Sequence, residues 1–90
     1  MLLLKTPKDV GHIVADNLRA LRKRRHISMK ELSSRAAVPY STLKRFEHTG
    51  EISLTALLKI AVVLNCADGF EQLFTDPEIH SIQEIIDGLV

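Results

Sequence analysis

Apolar residues recur in the first third of the chain at three- and four-residue spacing, which is the period of an amphipathic helix. The run extends from Val10 to Leu21 and follows residues 6–9 (T-P-K-D), which combine a threonine cap with a proline suited to a first helical turn. The pattern predicts a first helix that ends near Arg25. Its basic last turn, residues 23–26, either caps the helix or contacts phosphate, and the sequence favours neither interpretation.

Two short helices joined by a tight turn are predicted between Ser28 and Glu47. An S-x-x-E capping box at residues 28–31 is typical of a helix start. The small residues at 36 and 37 allow the next helix to approach closely, and Pro39 suits its first turn because the missing N–H would be unpaired there. The outer face of this third helix is predicted to carry Tyr40, Ser41, Lys44, Arg45 and His48.

A fourth helix is predicted from Leu54 to about Asn65, with Ser53 as its cap. It is apolar nearly all round, and Lys59 is its main polar position. Because such a helix is normally buried on more than one face, we expect it to be the central core helix. Part of it could also lie in a homodimer interface.

The C-terminal third carries more large apolar side chains than a small core requires. A short helix capped by Asp68 is predicted first, and an S-x-x-E box at residues 81–84 predicts a terminal helix. These side chains either complete the monomer core or form a homodimer or partner-docking interface, and we favour the interface. A short strand at residues 2–5 could also contribute to this interface. The residues predicted to form the interface are Leu3, Phe70, Leu73, Phe74, Ile82, Ile85, Ile86 and Leu89.

Composition indicates one domain, residues 1–90, in a folded chain with 46% hydrophobic and 26% charged residues. The single Cys66 excludes an internal disulfide. No apolar run approaches the roughly 20 residues of a membrane span, and residues 1–4 are too short for a signal peptide. We therefore expect a bacterial-type cytoplasmic protein.

Charge is distributed unevenly along the chain. Residues 1–50 hold 11 Lys and Arg and 4 Asp and Glu, whereas residues 51–90 hold 1 and 7. Chance clustering of solvated charge is one explanation. A basic face for a polyanion, with an acidic end kept away from it, is the explanation we favour.

Enzymatic and metal-binding roles find no support in the motifs. The four histidines lie in separate predicted elements without ligand-like spacing, and Cys66 is interpreted as a small core residue. The chain has no glycine-rich phosphate loop and no nucleophile elbow. We expect neither catalysis nor a cofactor nor a metal.

The stretch M-K-E-L-S-S-R-A-A-V-P-Y-S-T-L-K-R-F-E, residues 29–47, resembles the helix-turn-helix of the lambda Cro/CI-type family of small bacterial and phage repressors. With the flanking helices in register, the resemblance covers about residues 9–66. It implies an all-α, five-helix repressor-like domain, to which residues 67–90 add a dimerisation or partner-docking extension with a short extra helix.

The resemblance also implies site residues, because in this family the third helix enters the major groove of double-stranded DNA. Base-edge contacts would come from Tyr40, Ser41 and Arg45, with Arg45 suited to guanine. Arg22 and Glu47 match a partly buried ion pair that joins the first and third helices. Phosphate contacts would come from Ser28, Lys30, Thr42 and Lys44.

Three positions depart from the family pattern. Met29 stands where relatives often have a phosphate-contacting Gln, Pro39 replaces a Ser or Thr cap, and His26 replaces a frequent Gly. These changes imply fewer DNA contacts. The operator sequence therefore cannot be inferred from the family.

Segments outside this motif suggest a narrower function. The segment K-T-P-K-D-V-G before the first helix resembles the entry of HipB-like antitoxins, the DNA-binding halves of kinase toxin–antitoxin operons. The segment T-G-E-I-S-L-T-A-L-L-K-I-A-V-V-L, followed by F-E-Q-L-F and S-I-Q-E-I-I, is similar to small regulators commonly linked to such pairs. This implies an autoregulatory, homodimeric repressor of a palindromic operator with a kinase-type toxin as partner. A free-standing transcriptional regulator and a protein-interaction adaptor that keeps the helix-turn-helix shape are the alternatives.

Overall fold

The computed structural model describes residues 5–75, which form five helices. These are α1 (Pro7–Arg24), α2 (Met29–Ala36), α3 (Tyr40–Thr49), α4 (Leu54–Val63) and α5 (Asp68–Glu71). No strand occurs between residues 5 and 75. The predicted all-α, five-helix class is confirmed, while the possible strand at residues 2–5 and the terminal helix from residue 81 lie largely or wholly outside the described residues.

The helix starts follow from local capping. At α1, the Thr6 hydroxyl accepts a hydrogen bond from the Asp9 N–H at 3.1 Å, and the Asp9 carboxylate accepts one from the Thr6 N–H at 3.0 Å. This hydrogen bond from the Thr6 backbone lowers the pKa of Asp9 below its ordinary value. Ser53 caps α4 in the same manner through the Ala56 N–H, at 3.1 Å. These starts therefore require no tertiary contact.

The start of α2 differs from the predicted capping box in one half. The Ser28 hydroxyl accepts from the Glu31 N–H at 3.0 Å, as expected. The Glu31 carboxylate instead forms an ion pair with Arg35, one turn further along the same helix. Ser28 is therefore a cap, but the reciprocal bond of the box is absent.

The core lies where α1, α2, α3 and α4 meet. α3 packs against α1 and α2, and α4 packs against α2. The largest side chains that are fully buried come from α2, α3 and α4, with the methyl group of Ala15 filling the space beneath α1. They are Leu32, Leu43, Phe46 and Ile60.

α1 and α3 approach most closely at two glycines. A Cβ atom built on Gly11 would lie 2.6 Å from the carbonyl oxygen of Gly50, and one built on Gly50 would lie 2.7 Å from the carbonyl carbon of Gly11. Gly50 ends α3 in the left-handed conformation, with φ of 78°. The contact thus joins the second turn of α1 to the end of α3 through backbone alone.

The prediction that α4 is buried on several faces is wrong. Within α4 only Ile60 and Ala61 are buried, while Leu54 and Val62 are 61% and 65% exposed. α2 packs against one side of the helix, an apolar groove stays open between α4 and α1, and Leu54 and Val62 face solvent. An apolar composition here does not produce burial.

The prediction for α5 is also wrong in detail. Ala67, not Asp68, occupies the N-cap position, and no side chain caps the helix, which is a single turn. Phe70 is half-buried, whereas Leu73 is 54% exposed and Phe74 is fully exposed with φ of 66°. The end of the described chain therefore presents apolar side chains to solvent.

Candidate nucleic-acid interface

The turn between α2 and α3 sets the angle of the third helix. Ala37 adopts a left-handed conformation with φ of 55° and ψ of 43°, and its N–H closes the end of α2. The Val38 N–H then bonds to the Ser33 carbonyl at 3.0 Å, and the Val38 side chain is buried. A short, hydrogen-bonded turn with a buried side chain fixes α3 against α2.

A buried ion pair ties α3 to α1. The Arg22 guanidinium donates to both carboxylate oxygens of Glu47, at 2.8 and 3.0 Å, and these side chains are only 10% and 7% exposed. A third donor of Arg22 bonds to the Ile27 carbonyl at 3.0 Å. The hydrogen bond with Glu47 raises the pKa of Arg22 above its already high ordinary value. The pair therefore orients α3 from its inner side, at the positions that the resemblance implies.

The predicted DNA contacts lie on the part of α3 that is not packed against the core. Tyr40, Ser41, Lys44 and Arg45 are exposed there, and Thr42 is half-buried beside them. No side chain caps the start of α3, since Pro39 has none to offer. The first-turn N–H groups of an α-helix have no partner within the helix, so this end of α3 attracts anions.

The start of α2 lies at the edge of the same motif. Ser28 and Lys30 are exposed, and the Ser28 hydroxyl, which accepts the capping bond from the Glu31 N–H, keeps its own O–H as a donor. Met29 packs partly against the core instead of extending outward as a polar residue would. At this helix start the exposed side chains therefore offer the Ser28 hydroxyl and the Lys30 ammonium group as donors, with the Glu31 carboxylate, 42% exposed, beside them.

Two clefts flank α3. The first, of about 380 Å³, is lined by Arg19, Lys44 and His48 above the buried ion pair. The second, also of about 380 Å³, is lined by the hydroxyls of Ser41, Thr42 and Ser53 together with Arg45 and Glu51. Lys44 and Arg45 therefore extend to different sides of the helix. Arg19 lines the first cleft. The spacing of apolar residues in α1 did not indicate this position as part of the site.

Arg45 has an acidic neighbour that the sequence analysis did not identify. Its Nη2 atom lies 2.7 Å from the Oε1 atom of Glu51, in the turn that follows α3. Both side chains are about two-thirds exposed, at 66% and 64%. The best candidate for a guanine contact is therefore already paired in the free protein.

The basic cluster at residues 23–26 is only partly available for phosphate. Arg25 donates a hydrogen bond of 2.7 Å to the Leu64 carbonyl at the end of α4. His26 is exposed and takes φ of 56°, where a glycine would meet no steric cost. Lys23 and Arg24 are exposed without such a role. Arg25 thus links helices rather than merely capping its own.

Among the predicted interface residues, Phe70, Leu73 and Phe74 lie at the end of the described chain. Leu3, Ile82, Ile85, Ile86 and Leu89 are outside the described residues. Phe70 borders an apolar groove of about 150 Å³ between α1 and α4 that Leu21 and Leu57 also line.

Two negative findings apply to residues 5–75. No helix in this range is long and apolar enough to cross a membrane. No group of three His, Cys, Asp or Glu side chains in it is arranged to hold a metal ion.

Comparison with known families agrees with this geometry. The family model of the Cro/C1-type HTH DNA-binding domain matches residues 17–77, which include the whole helix-turn-helix and both clefts. Searches among curated proteins and solved structures gave no match. The matched range is more than half of the 90 residues. The chain belongs to the Cro/C1-type helix-turn-helix family, and it is a DNA-binding regulator.

Proposed function

We propose that this regulator is a sequence-specific repressor that inserts α3 into the major groove of its operator. The observation that carries the proposal is the exposed surface formed by Tyr40, Ser41 and Arg45 on a helix whose other side is fixed by buried contacts. Arg45 offers the donors for guanine O6 and N7, a contact that discriminates against other bases by roughly 1–3 kcal/mol. Tyr40 and Ser41 contact neighbouring base edges.

Phosphate contacts hold the helix in this orientation. Lys44 and Thr42 lie on α3 beside the base-contacting residues, and Lys30 and Ser28 lie at the start of α2. The Ser28 hydroxyl accepts the capping bond from the Glu31 N–H, and its own O–H can still donate to a phosphate oxygen. Such contacts position the protein on DNA without selecting sequence.

Repression by a homodimer of this chain is part of the proposal. Exposed Leu54, Val62, Leu73 and Phe74 offer apolar surface on α4 and after α5. Burying such surface against a second copy is favourable and would present two α3 helices to successive major grooves. The half-sites of a palindromic operator would then lie about 34–36 Å apart.

DNA selection followed by titration tests the proposal. Sequences enriched by the protein from a random duplex pool should share a palindromic motif. A variant with both Arg45→Ala and Lys44→Ala should lose at least tenfold in affinity for the enriched duplex, and the slope of log affinity against log salt should fall by about 1 for each phosphate contact removed. Lys59→Ala removes one charge from α4 and is the matched control.

Two results would contradict sequence-specific repression. One is equal and weak binding to every duplex, unmoved by the double substitution, which would favour the adaptor alternative. The other concerns only the dimer: a monomer at micromolar concentration in analytical ultracentrifugation would remove the homodimer from the proposal.

An antitoxin role is the narrower form of the same proposal. It rests on the similarity of residues 5–11 to HipB-like antitoxins and of residues 49–64, with the two segments after residue 69, to small regulators linked to such toxin–antitoxin pairs. In this form the chain represses its own operon in the bacterial cytoplasm and binds a kinase-type toxin away from α3. A kinase-like reading frame beside its gene, whose product co-purifies with it and tightens operator binding, is the expected result. A regulator without such a neighbour is free-standing.

A further inference from the structure

The ion pair between Arg45 and Glu51 joins the outer face of α3 to the turn that follows it. The Nη2–Oε1 distance is 2.7 Å, and most of each side chain is in contact with solvent. A carboxylate at this place is unexpected on a surface that approaches DNA, because it repels the phosphate backbone. The carboxylate therefore lowers the affinity for DNA of any sequence, and a compensating effect would have to act on sequence preference.

The backbone of Glu51 is held by the end of α3. The Thr49 hydroxyl donates to the Arg45 carbonyl at 2.8 Å and accepts from the Glu51 N–H at 3.2 Å. Between them, Gly50 takes the left-handed conformation and packs against the backbone of Gly11. The backbone that carries the Glu51 side chain is therefore held at the end of α3, where the carboxylate reaches Arg45.

The pair leaves most of the Arg45 guanidinium available. A guanidinium has five N–H donors, and Glu51 occupies Nη2 through a single oxygen. A guanine needs two donors, for O6 and N7, which the remaining N–H groups can supply. A phosphate at the same guanidinium would instead place a second anion beside the carboxylate.

We propose that Glu51 is a positioning residue that makes Arg45 select a base edge over a phosphate. The ion pair with Glu51 restricts the long Arg45 side chain, which reduces the entropy lost when Arg45 meets guanine. It also makes the competing phosphate contact unfavourable. The inference rests on the proposed function, in which α3 contacts bases through Arg45.

The variant Glu51→Gln separates these effects, because it keeps the side-chain length and removes the charge. Two duplexes of about 30 bp are used as probes, a length that can span two half-sites one DNA turn apart. One has a random sequence, and the other has a sequence enriched by the wild-type protein. Fluorescence anisotropy is measured from about 50 to 200 mM salt, the range in which phosphate contacts dominate.

Opposite effects on the two probes are expected. Affinity for the random duplex should rise about two- to fivefold, the range that an exposed ion pair can oppose. The salt slope should steepen by about 0.9, because the freed Arg45 then neutralises one more phosphate. Affinity for the enriched duplex should stay constant or fall. The ratio of the two affinities therefore decreases.

Two controls test whether Glu51 acts through Arg45. Glu71→Gln makes the same chemical change on α5 and should leave the affinity ratio unchanged. In an Arg45→Gln background, Glu51→Gln should no longer alter the ratio, because the guanidinium that it positions is absent. Far-ultraviolet circular dichroism checks that each variant is folded, which is expected since both side chains are exposed.

The outcomes distinguish the two proposals. Equal changes on both duplexes, or an effect of Glu51→Gln that persists without Arg45, would overturn the positioning role while leaving sequence-specific binding intact. If the wild-type protein enriches no sequence and the Arg45→Ala and Lys44→Ala double variant binds normally, the proposed function itself is wrong. The role of Glu51 is then wrong with it.

Discussion

Substitution of Gly11 by alanine tests how α1 supports α3. In the interior of an isolated helix this change should stabilise by about 0.8–1 kcal/mol, because alanine has the higher helix propensity. The structure reverses the sign. The added Cβ would lie 2.6 Å from the Gly50 carbonyl oxygen and 3.4 Å from its carbonyl carbon, so backbone rather than a flexible side chain must move.

The magnitude follows from two opposing contributions. Inserting a methyl group into a close-packed contact typically costs about 1–3 kcal/mol, and a distance this far below van der Waals contact favours the upper end. Subtracting the favourable propensity term leaves a net loss of about 2 kcal/mol. For a chain of this size, the thermal midpoint should fall by roughly 8–16 °C.

Urea unfolding followed by circular dichroism measures the effect. The midpoint should fall without a change in slope, since a changed slope would indicate altered compactness instead of altered stability. Gly69→Ala is the matched control: it places the same methyl group on α5, where no heavy atom lies within 4 Å of the new Cβ, and should not destabilise. If Gly11→Ala is as stable as the wild-type protein, the close contact between α1 and α3 is wrong.

Three further predictions concern the turn, the ion pair and the first cap. Ala37→Gly should stabilise by roughly 0.5–1 kcal/mol, because glycine adopts the left-handed conformation of this exposed position without the steric cost to alanine, and a lower thermal midpoint would contradict this. Glu47→Gln should lower the free energy of unfolding by about 3 kcal/mol, since it leaves the Arg22 charge buried without its partner, whereas the double variant Arg22→Met with Glu47→Leu should recover most of that loss in urea unfolding. The pKa of Asp9 is lowered in the folded state, so its contribution to stability is complete above the ordinary value of 3.8 and is lost as the pH falls through the folded-state pKa. The variant Asp9→Asn should therefore lose less stability on acidification than the wild-type protein when unfolding is measured at a series of pH values. Equal losses would exclude this role.

The helix starts could be predicted from sequence because each depends on a few adjacent residues. Thr6 and Ser53 act as caps at the expected places, and Ser28 does so without the second bond of its box. The pairing of Arg22 with Glu47, 25 residues away, came from the family resemblance and not from periodicity. Hydrogen bonds of helix caps can be predicted from adjacent residues. Predicting a pair that is distant in sequence required knowledge of the fold.

Two side-chain contacts, made by Arg25 and by Arg45, were not predictable from the sequence. The bond from Arg25 to the Leu64 carbonyl spans 39 residues, and nothing near Arg25 in sequence indicates it. The pairing of Arg45 with Glu51 depends on the left-handed turn at Gly50, which brings the residue after the turn back towards α3. Apolar composition similarly predicted that α4 would be buried. Burial depends on how closely the neighbouring helices pack, and α4 packs against α2 while an apolar groove stays open between α4 and α1.

The contacts around α3 divide into two groups with different expected effects on DNA binding. The glycine contact and the Arg22–Glu47 pair hold the inner side of α3, so disturbing them changes the orientation of every exposed side chain at once. Such variants should weaken binding to all sequences by similar factors. Arg45 and Glu51 lie on the outer side of α3, where both are exposed. Changing either should alter the competition between a base edge and a phosphate for Arg45, while the orientation of the helix stays the same. Sequence preference should therefore respond to the outer pair, while overall affinity responds to the inner contacts.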